Sequence, residues 1–250
     1  MIESKDLIQN AADKLKAGSK NNWFDQYIDQ NKERFVTDLD SISRYLTHEK
    51  MKIGDLGAAP FVIDLALKTM GHHVTCFDVA PERFNHLEKV GLNLEKVDLD
   101  KWAEVKNGDY ELVLFTEVFE HLRGDLLTVC HNIYDMLKPG GILYLTTPNI
   151  RSVMGIYKLI FKKVSYSLSN DLYHEWNKLE TLGHMGHVRE YTLHEVTTLF
   201  TTVGFEAIQI KTKPVQIGPG LFNRIFYYME YLLNPLTLGS SSSLVLRKPL

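Results

Sequence analysis

The stretch Lys52-Ile53-Gly54-Asp55-Leu56-Gly57-Ala58-Ala59-Pro60-Phe61 decides the fold. Its first five residues have the apolar pattern of a short strand, and small residues follow where the chain turns. Gly57 and Ala59 let backbone N–H groups approach a ligand closely, and the helix predicted over residues 61–70 points its N-terminus at the same place. This arrangement occurs in many folds, but it indicates a ligand site at the turn.

Strand and helix patterns alternate on the C-terminal side of this stretch. We predict strands at 52–56, 74–77, 94–97, 111–116 and 142–147, and helices at 61–70, from Pro81 to Gly91, and at 125–137, the last stopped by Lys138-Pro139-Gly140-Gly141. Residues 1–50 have helical spacing. The chain continues with helices at 152–161 and 192–203, strands at 207–211 and 242–247, and an apolar segment at 221–233. The alternation predicts an α/β fold with a mainly parallel sheet and helices on both faces.

Polar residues stand where these strands end. They are Asp55, Asp78, Asp98, Glu117 and Asn149. Because parallel sheets bind ligands at the carboxyl ends of their strands, we expect these side chains to line one site. Asp78 lies 21 positions after Gly57, where a carboxylate accepts hydrogen bonds from ribose hydroxyls. Asp98 is placed to accept from the exocyclic amine of adenine.

The chain resembles the class I S-adenosylmethionine-dependent methyltransferases, and most of all the group that includes the ubiquinone-biosynthesis O-methyltransferases and small-molecule or sugar methyltransferases. The matching motifs are Asp55-Leu56-Gly57-Ala58-Ala59-Pro60, Cys76-Phe77-Asp78-Val79, Val97-Asp98-Leu99, Phe115-Thr116-Glu117-Val118-Phe119-Glu120-His121-Leu122 and Leu137-Lys138-Pro139-Gly140-Gly141-Ile142. The resemblance implies a Rossmann-like, seven-stranded sheet whose last strand is antiparallel and lies beside the fifth.

The resemblance also implies S-adenosyl-L-methionine as the cofactor and gives roles to individual residues. Its amino acid part would be held by Asp55, by the backbone at Gly57 and Ala59, and by the neighbouring Ala58. Its ribose would contact Asp78 and Val79, its adenine Asp98 and Leu99, and its methionine part Thr116 and Glu117. One residue departs from the family pattern, because Phe61 stands where a third glycine is common.

Other classes with this fold match less well. A nicotinamide-dependent oxidoreductase needs glycines at 57, 59 and 62, whereas the chain has Gly57, Ala59 and Val62. No Gly-Lys-Ser/Thr follows the first strand, which excludes a P-loop. The formal net charge of -3 and the absence of a basic cluster with interleaved aromatics argue against a nucleic-acid partner.

Histidines are the candidate catalytic residues. A hydroxyl acceptor needs a base within hydrogen-bond reach, and histidine serves most often. His121 follows the fourth strand, while His174, His184 and His187 lie in the connection at 165–190. We rank His121 and His187 first and predict O-methylation of a small-molecule or sugar-like hydroxyl acceptor. N-methylation, and a cofactor-binding partner subunit without turnover, remain alternatives.

Glu117, Glu120 and His121 form a Glu-x-x-Glu-His set that can bind a divalent ion. Some quinone-pathway O-methyltransferases with a similar set use a metal. A helix start with glutamates at the favourable end of its dipole gives the same pattern. We predict the helix start and no metal, and methyl transfer that survives chelation would support that prediction.

The whole chain is predicted to form a single methyltransferase domain, residues 1–250. Residues 1–50 would form a helical N-terminal cap, 51–149 the cofactor-binding core, and 150–190 and 214–240 insertions that act as a lid over the acceptor. The apolar parts of these insertions are expected to form that lid or a homodimer contact in preference to a membrane contact. Two cysteines and a polar N-terminus without an apolar signal region indicate a cytoplasmic protein.

Overall fold

A computed structural model describes residues 3–17, 19, 22–81, 83, 90–103, 108–169, 171–181, 185–215 and 220–250. Its strands are β1 (Lys52–Leu56), β2 (His73–Asp78), β3 (Asn93–Lys96), β4 (Tyr110–Thr116), β5 (Leu137–Pro148), β6 (Glu206–Lys213) and β7 (Ser241–Arg247). Its helices are α1 (Ser4–Lys16), α2 (Asn22–Ser43), α3 (Val62–Thr69), α4 (Leu126–Met136), α5 (Val153–Tyr157), α6 (Leu172–Thr181), α7 (Leu193–Val203) and α8 (Leu221–Leu233). The predicted helix from Pro81 to Gly91 lies mostly outside the described residues, as does His184.

The seven strands form one sheet in the order β3-β2-β1-β4-β5-β7-β6. β1 pairs in parallel with β2 and with β4, so the carboxyl ends of these three strands lie at the same edge of the sheet. β7 runs antiparallel between β5 and β6. The predicted Rossmann-like sheet, mainly parallel with an antiparallel last strand beside the fifth, is confirmed.

Each face of the sheet is covered by a hydrophobic core. One core joins α1, α2 and α3 to the sheet and contains fully buried side chains such as Phe24, Ile28 and Leu39. The other joins α4 and α7 to the opposite face through residues such as Phe119 and Phe200. Burial of each such side chain contributes about 1.5–3 kcal/mol, so these helices are held on the sheet mainly by apolar contacts.

A buried polar network connects α2 to strands β5 and β6. The Tyr144 hydroxyl on β5 donates to Asp38 Oδ1 at 2.7 Å, and the Lys213 ammonium on β6 donates to the same oxygen at 3.1 Å. Asp38 is almost fully buried. Because a buried carboxylate is costly without such partners, this network fixes the position of the helix that carries Arg34.

The structure corrects the sequence prediction in two places. The motif Lys138-Pro139-Gly140-Gly141 is not a loop between helix and strand, because β5 already begins at Leu137, which pairs with Tyr110. Gly140 N–H donates to the Lys248 carbonyl and Lys248 N–H to the Gly141 carbonyl, so the C-terminal segment supplies hydrogen bonds that the local sequence does not show. Within the connection at 165–190, the helix α6 was not predicted.

Phe61 occupies the left-handed backbone region, with φ 65°, and its side chain is fully buried. A glycine adopts this conformation freely, whereas any other residue is strained there by about 1–2 kcal/mol. The phenylalanine therefore gains enough from its core contacts to offset that strain. This explains how the chain folds without the family's third glycine.

We expect Phe61→Ala to lower the free energy of unfolding by about 3–5 kcal/mol, because it leaves a cavity and keeps the strain. Phe61→Gly loses the same contacts but relieves the strain, so it should be more stable than the alanine variant by about 1 kcal/mol. Urea unfolding of both variants measures the difference. An alanine variant more stable than the glycine variant would contradict this account.

Candidate active site

A pocket lies at the carboxyl ends of β1 and β4, with about 340 Å³ of space between its walls when the adjoining open solvent is included. Five of the predicted cofactor residues line it: Asp55, Ala58, Ala59, Thr116 and Glu117. Helix α2 closes one side with Tyr27, Arg34 and Phe35, and α3 adds Ile63 and Asp64. The sheet edge that the sequence indicated thus forms a cavity, and the N-terminal helices complete its wall.

Two buried carboxyl groups stand side by side in this pocket. Burial raises the pKa of Asp55 well above its usual value, and the neighbouring Asp64 raises it further. Burial also raises the pKa of Asp64. Within the described part of the chain, Asp55 Oδ1 and both Asp64 oxygens have no hydrogen-bond donor in ordinary geometry, and the two carboxyls and the Cys76 thiol act on one another's pKa. Such a pair is costly without a neutralising cation and favours a cationic group that enters the pocket.

Gly57 shapes the turn between β1 and α3. It has φ +72°, and a Cβ atom there would lie 2.5 Å from Val118 Cγ2. Its N–H donates to the Phe77 carbonyl at 2.8 Å, and the Ala58 N–H donates to the same oxygen at 3.1 Å. The expected approach of the Gly57 N–H to a ligand is therefore not what the structure shows. This glycine permits a sharp turn and close contact with the residue after Glu117.

Asp78 and Asp98 lie at the ends of their strands as predicted. Asp78 closes β2, and its Oδ1 accepts from the Ala80 N–H at 2.9 Å. Asp98 follows β3, accepts from the Asp100 N–H at 3.1 Å, and pairs with Lys101 at 3.2 Å. These bonds order the turns that contain Val79 and Leu99. They do not test the roles in ribose and adenine binding, which stay predictions.

Arg34 is a pocket residue that the sequence did not indicate. Its Nη2 donates to the Tyr27 hydroxyl at 3.1 Å. Burial lowers its pKa, but Tyr27, Glu117 and Asp38 outweigh that effect, and the pKa stays above its usual value. Among the lining residues Arg34 carries the positive charge, and the other ionisable groups include three acids, Asp55, Asp64 and Glu117. Helical spacing predicted the helix, but it gave no sign that this arginine faces a site on the sheet.

Next to Glu117, the structure gathers the two predicted histidines and one glutamate. Donor atoms of Glu120, His121 and His187 all lie within 4.8 Å of one another. The rings of His121 and His187 meet edge to face, with centroids 4.9 Å apart. Residues distant in sequence thus form one cluster at the end of β4.

The two imidazoles are held by different partners. His187 Nδ1 lies 3.1 Å from Glu190 Oε1, and because a carboxylate only accepts, this nitrogen carries the proton. Burial lowers the pKa of His187, but Glu190 and Glu120 outweigh it and raise the pKa. His121 Nδ1 donates to the Gly186 carbonyl at 2.9 Å, and burial, with His187 nearby, lowers its pKa to about 4. His187 is therefore the stronger base of the two.

Glu190 was also missed by the sequence analysis. It is buried and accepts from His187, from the Ser167 N–H at 2.5 Å and hydroxyl, and from the Leu168 N–H at 3.3 Å. This carboxylate ties the segment after α5 to the histidine. Local sequence gives no sign of this role, because the role depends on a contact with Ser167, 23 residues away.

The cluster also has the donor set of a divalent-ion site. Two imidazole nitrogens and one carboxylate suit transition-metal ions such as zinc or manganese. Burial, then Glu117, raises the pKa of Glu120 to about 8, and a bound cation would reverse this effect. The sequence had offered Glu117, Glu120 and His121 as the possible ligands. In the structure His187 takes the place of Glu117 in this set, and Glu117 lines the pocket. His174 is exposed and pairs with Asp171.

Comparison with known proteins decides the family. A family model described as a methyltransferase domain matches residues 29–210. The chain belongs to this methyltransferase domain family. The fold and the family together confirm the resemblance to the class I S-adenosylmethionine-dependent methyltransferases, and S-adenosyl-L-methionine is the cofactor of such domains.

One sequence relative and two solved structures show what this methyltransferase domain is similar to. A ubiquinone biosynthesis O-methyltransferase of Xanthomonas campestris pv. campestris is 27% identical over 154 residues, which cover 58% of this chain and 64% of that protein. A putative methyltransferase of Haloferax volcanii, in complex with the Trm112 methyltransferase activator, has a TM-score of 0.60 at 15% identity, covering 93% and 100% of the two chains. A possible histamine N-methyltransferase of Thermotoga maritima has a TM-score of 0.57 at 15% identity, covering 95% and 99%.

The chain spans less than two thirds of the curated relative's length, and the two structural likenesses show the fold alone. The acceptor is therefore not given by these relatives. Across the described residues, the helices lack the combination of length and apolarity that crossing a membrane requires.

Proposed function

We propose that this methyltransferase domain transfers a methyl group from S-adenosylmethionine to a hydroxyl of a small-molecule or sugar-like acceptor. The observation that carries the proposal is the His187–Glu190 pair, at 3.1 Å, beside the pocket that holds Asp55 and Glu117. A buried carboxylate that fixes the tautomer of an imidazole prepares it to accept a proton. The identity of the distant quinone-pathway relative supports a hydroxyl acceptor.

The pocket residues suit the charged groups of the cofactor. Asp55 and Asp64 offer unpaired carboxyl oxygens to its ammonium group. Arg34 offers a guanidinium to its carboxylate, a pairing that planar forked geometry favours. Asp78 would accept from the ribose hydroxyls, and Asp98 from adenine. The cap at 1–50 then contributes directly to cofactor binding, through Arg34 on α2.

His187 would act as the base. When bound, S-adenosylmethionine supplies an activated methyl group, which forms a bond to the acceptor oxygen as the carbon–sulfur bond breaks and its electron pair stays on sulfur. The acceptor's hydroxyl proton goes to His187 Nε2, because Nδ1 is already protonated and donates to Glu190. The insertion at 150–190 supplies this base, which agrees with its proposed place over the acceptor.

A divalent ion is the second way in which the same cluster could serve this reaction. Glu120, His121 and His187 would hold it, and the observation in favour is the approach of all three donors within 4.8 Å. A bound ion would lower the pKa of an acceptor hydroxyl. His187 cannot at the same time use Nε2 as a ligand and as a base, so the two mechanisms exclude each other.

Calorimetric titration with S-adenosylmethionine and S-adenosylhomocysteine is the first test, and we expect binding of both. Mass spectrometry with a panel of phenols, sugars and amines then identifies the product, and we expect methylation on oxygen. Products on nitrogen alone would replace the proposal with N-methylation. Binding without any product across the panel would favour a partner subunit without turnover, and no binding at all would refute the proposal.

A further inference from the structure

Helix α8 has its apolar face turned to the solvent. Its 13 residues, Leu221–Leu233, contain one buried side chain, which belongs to the acid Glu230. On the opposite side, Leu221, Ile225, Tyr228 and Leu232 recur at i, i+4, i+7 and i+11 and are exposed; Leu221 and Leu232 are 76% and 74% exposed. A helix that packs only within its own chain has the reverse arrangement.

A second exposed apolar segment lies beside α8. It begins in the last turn of α5 and includes Ile156, Leu159, Ile160 and Phe161, all exposed. Tyr157 joins the two segments, because its ring lies 5.6 Å from Phe222 and 5.1 Å from Phe226. Glu230 anchors α8 from below through the Ser240 N–H at 2.9 Å and the Met154 N–H at 3.4 Å. The two segments therefore form one continuous apolar surface.

The charges on this surface have one sign. Residues 150–169 and 220–240 contain a single acid, the buried Glu230. Their exposed charged side chains are Arg151, Lys162, Lys163 and Arg224. This is a marked local departure from the formal net charge of -3 of the whole chain. Exposed apolar side chains flanked by basic ones are the composition that binds the interface of an anionic bilayer.

We propose that the surface formed by α8 and residues 156–163 docks on an anionic phospholipid bilayer. The exposed leucines and aromatics would enter the boundary between headgroups and acyl chains, and the basic side chains of Lys162, Lys163 and Arg224 would face the lipid phosphates. A second copy of the chain fits less well, because a two-fold contact through this patch would bring its basic residues together. This surface was expected from the sequence to form a lid or a dimer contact, and the outward direction of its apolar stripe favours the bilayer.

Co-sedimentation with vesicles at physiological salt tests the proposal. We expect the wild-type chain to bind vesicles of equal parts phosphatidylglycerol and phosphatidylcholine. Its affinity for vesicles of phosphatidylcholine alone should be lower by about tenfold or more. Leu232→Glu should lower the affinity for the mixed vesicles by about tenfold or more. Leu127→Glu is the matched control, because Leu127 is an exposed leucine on α4, 54% exposed and outside the surface, and it should bind as the wild type does.

A second variant separates charge from apolar contact. Lys162→Ala with Lys163→Ala should weaken binding to the mixed vesicles by about tenfold and reduce its dependence on salt. Circular dichroism melts of all variants establish that they fold. Equal binding by wild type and Leu232→Glu, or no binding by the wild type, would overturn the proposal. So would a wild-type dimer in light scattering that Leu232→Glu dissociates, without vesicle binding by either.

Discussion

Replacing Asp55 by Asn should make the protein more stable when no cofactor is added, and the binding of S-adenosylmethionine much weaker. Asp55 is buried beside Asp64, and burial raises its pKa well above the usual value. Asparagine has nearly the same shape and no charge, so the variant loses a repulsive and poorly solvated carboxylate. We expect the free energy of unfolding at neutral pH to rise by about 1–3 kcal/mol.

The stability gain should depend on pH in a defined direction. A carboxyl group whose pKa is raised in the folded state favours folding at low pH, and this advantage is lost as the pH rises through the folded-state pKa. The free energy of unfolding of the wild type should therefore fall progressively below that of Asp55→Asn as the pH rises from about 4 towards neutrality. Urea unfolding at several pH values measures the difference between the two proteins, in which the contributions of distant groups cancel.

The affinity for S-adenosylmethionine should change in the opposite sense and fall in Asp55→Asn. Loss of one partner of a desolvated charge pair costs about 2 kcal/mol or more, so calorimetry should show affinity about 30-fold lower, or no binding. Asp109→Asn is the control, because Asp109 is exposed and precedes β4 at the opposite end of the sheet. Unchanged cofactor affinity in Asp55→Asn would show that the ammonium group binds elsewhere.

The sequence predicted what local pattern determines. Asp55 and Glu117 were indicated because they stand at the carboxyl ends of two apolar strands, and parallel strands bring these ends to one edge. Thr192 was placed at a helix start, and it forms a capping box with Glu195. The predicted start of β5 was wrong, because Gly140 and Gly141 exchange hydrogen bonds with Lys248, more than 100 residues away.

The rest of the site depends on packing between distant segments. Arg34 faces the pocket because Asp38, one helical turn later, is held by Tyr144 and Lys213, 106 and 175 residues further along the chain. Glu190 reaches Ser167 across 23 residues. Neither contact leaves a periodic signal in the sequence. The structure brings the two first-ranked histidines together with Glu120, a meeting that required the fold, and their catalytic role stays a prediction.

Replacing His187 by Gln should lower kcat by about 10²–10⁴-fold, because the acceptor would lose its base. The affinity for S-adenosylmethionine should stay the same, since His187 does not line the pocket. His174→Gln is the matched control: His174 also pairs with a carboxylate, Asp171 at 3.2 Å, but it is exposed on α6. Steady-state kinetics on the acceptor found by mass spectrometry, with calorimetry of the cofactor, measure both effects.

Glu190→Gln tests whether this carboxylate positions the base. It should lower kcat less than His187→Gln does, and it should also move the rising limb of the pH profile to lower pH. The sign follows from the structure: Glu190 raises the pKa of His187, so without its charge the imidazole loses its proton at lower pH. A merely structural role for Glu190 would lower kcat without this shift.

Chelation distinguishes the base from a metal ligand. If His187 is the base, turnover should survive exhaustive chelation. Glu120→Gln should then retain most of the activity, because Glu120 would act only by raising the pKa of His187, an effect it shares with Glu190. If the cluster holds an ion, chelation and Glu120→Gln should both abolish turnover, and added zinc or manganese should restore the chelated wild type but not the variant. The second pattern would overturn the role of His187 as the base while leaving the cofactor pocket, and the test at Asp55, unaffected.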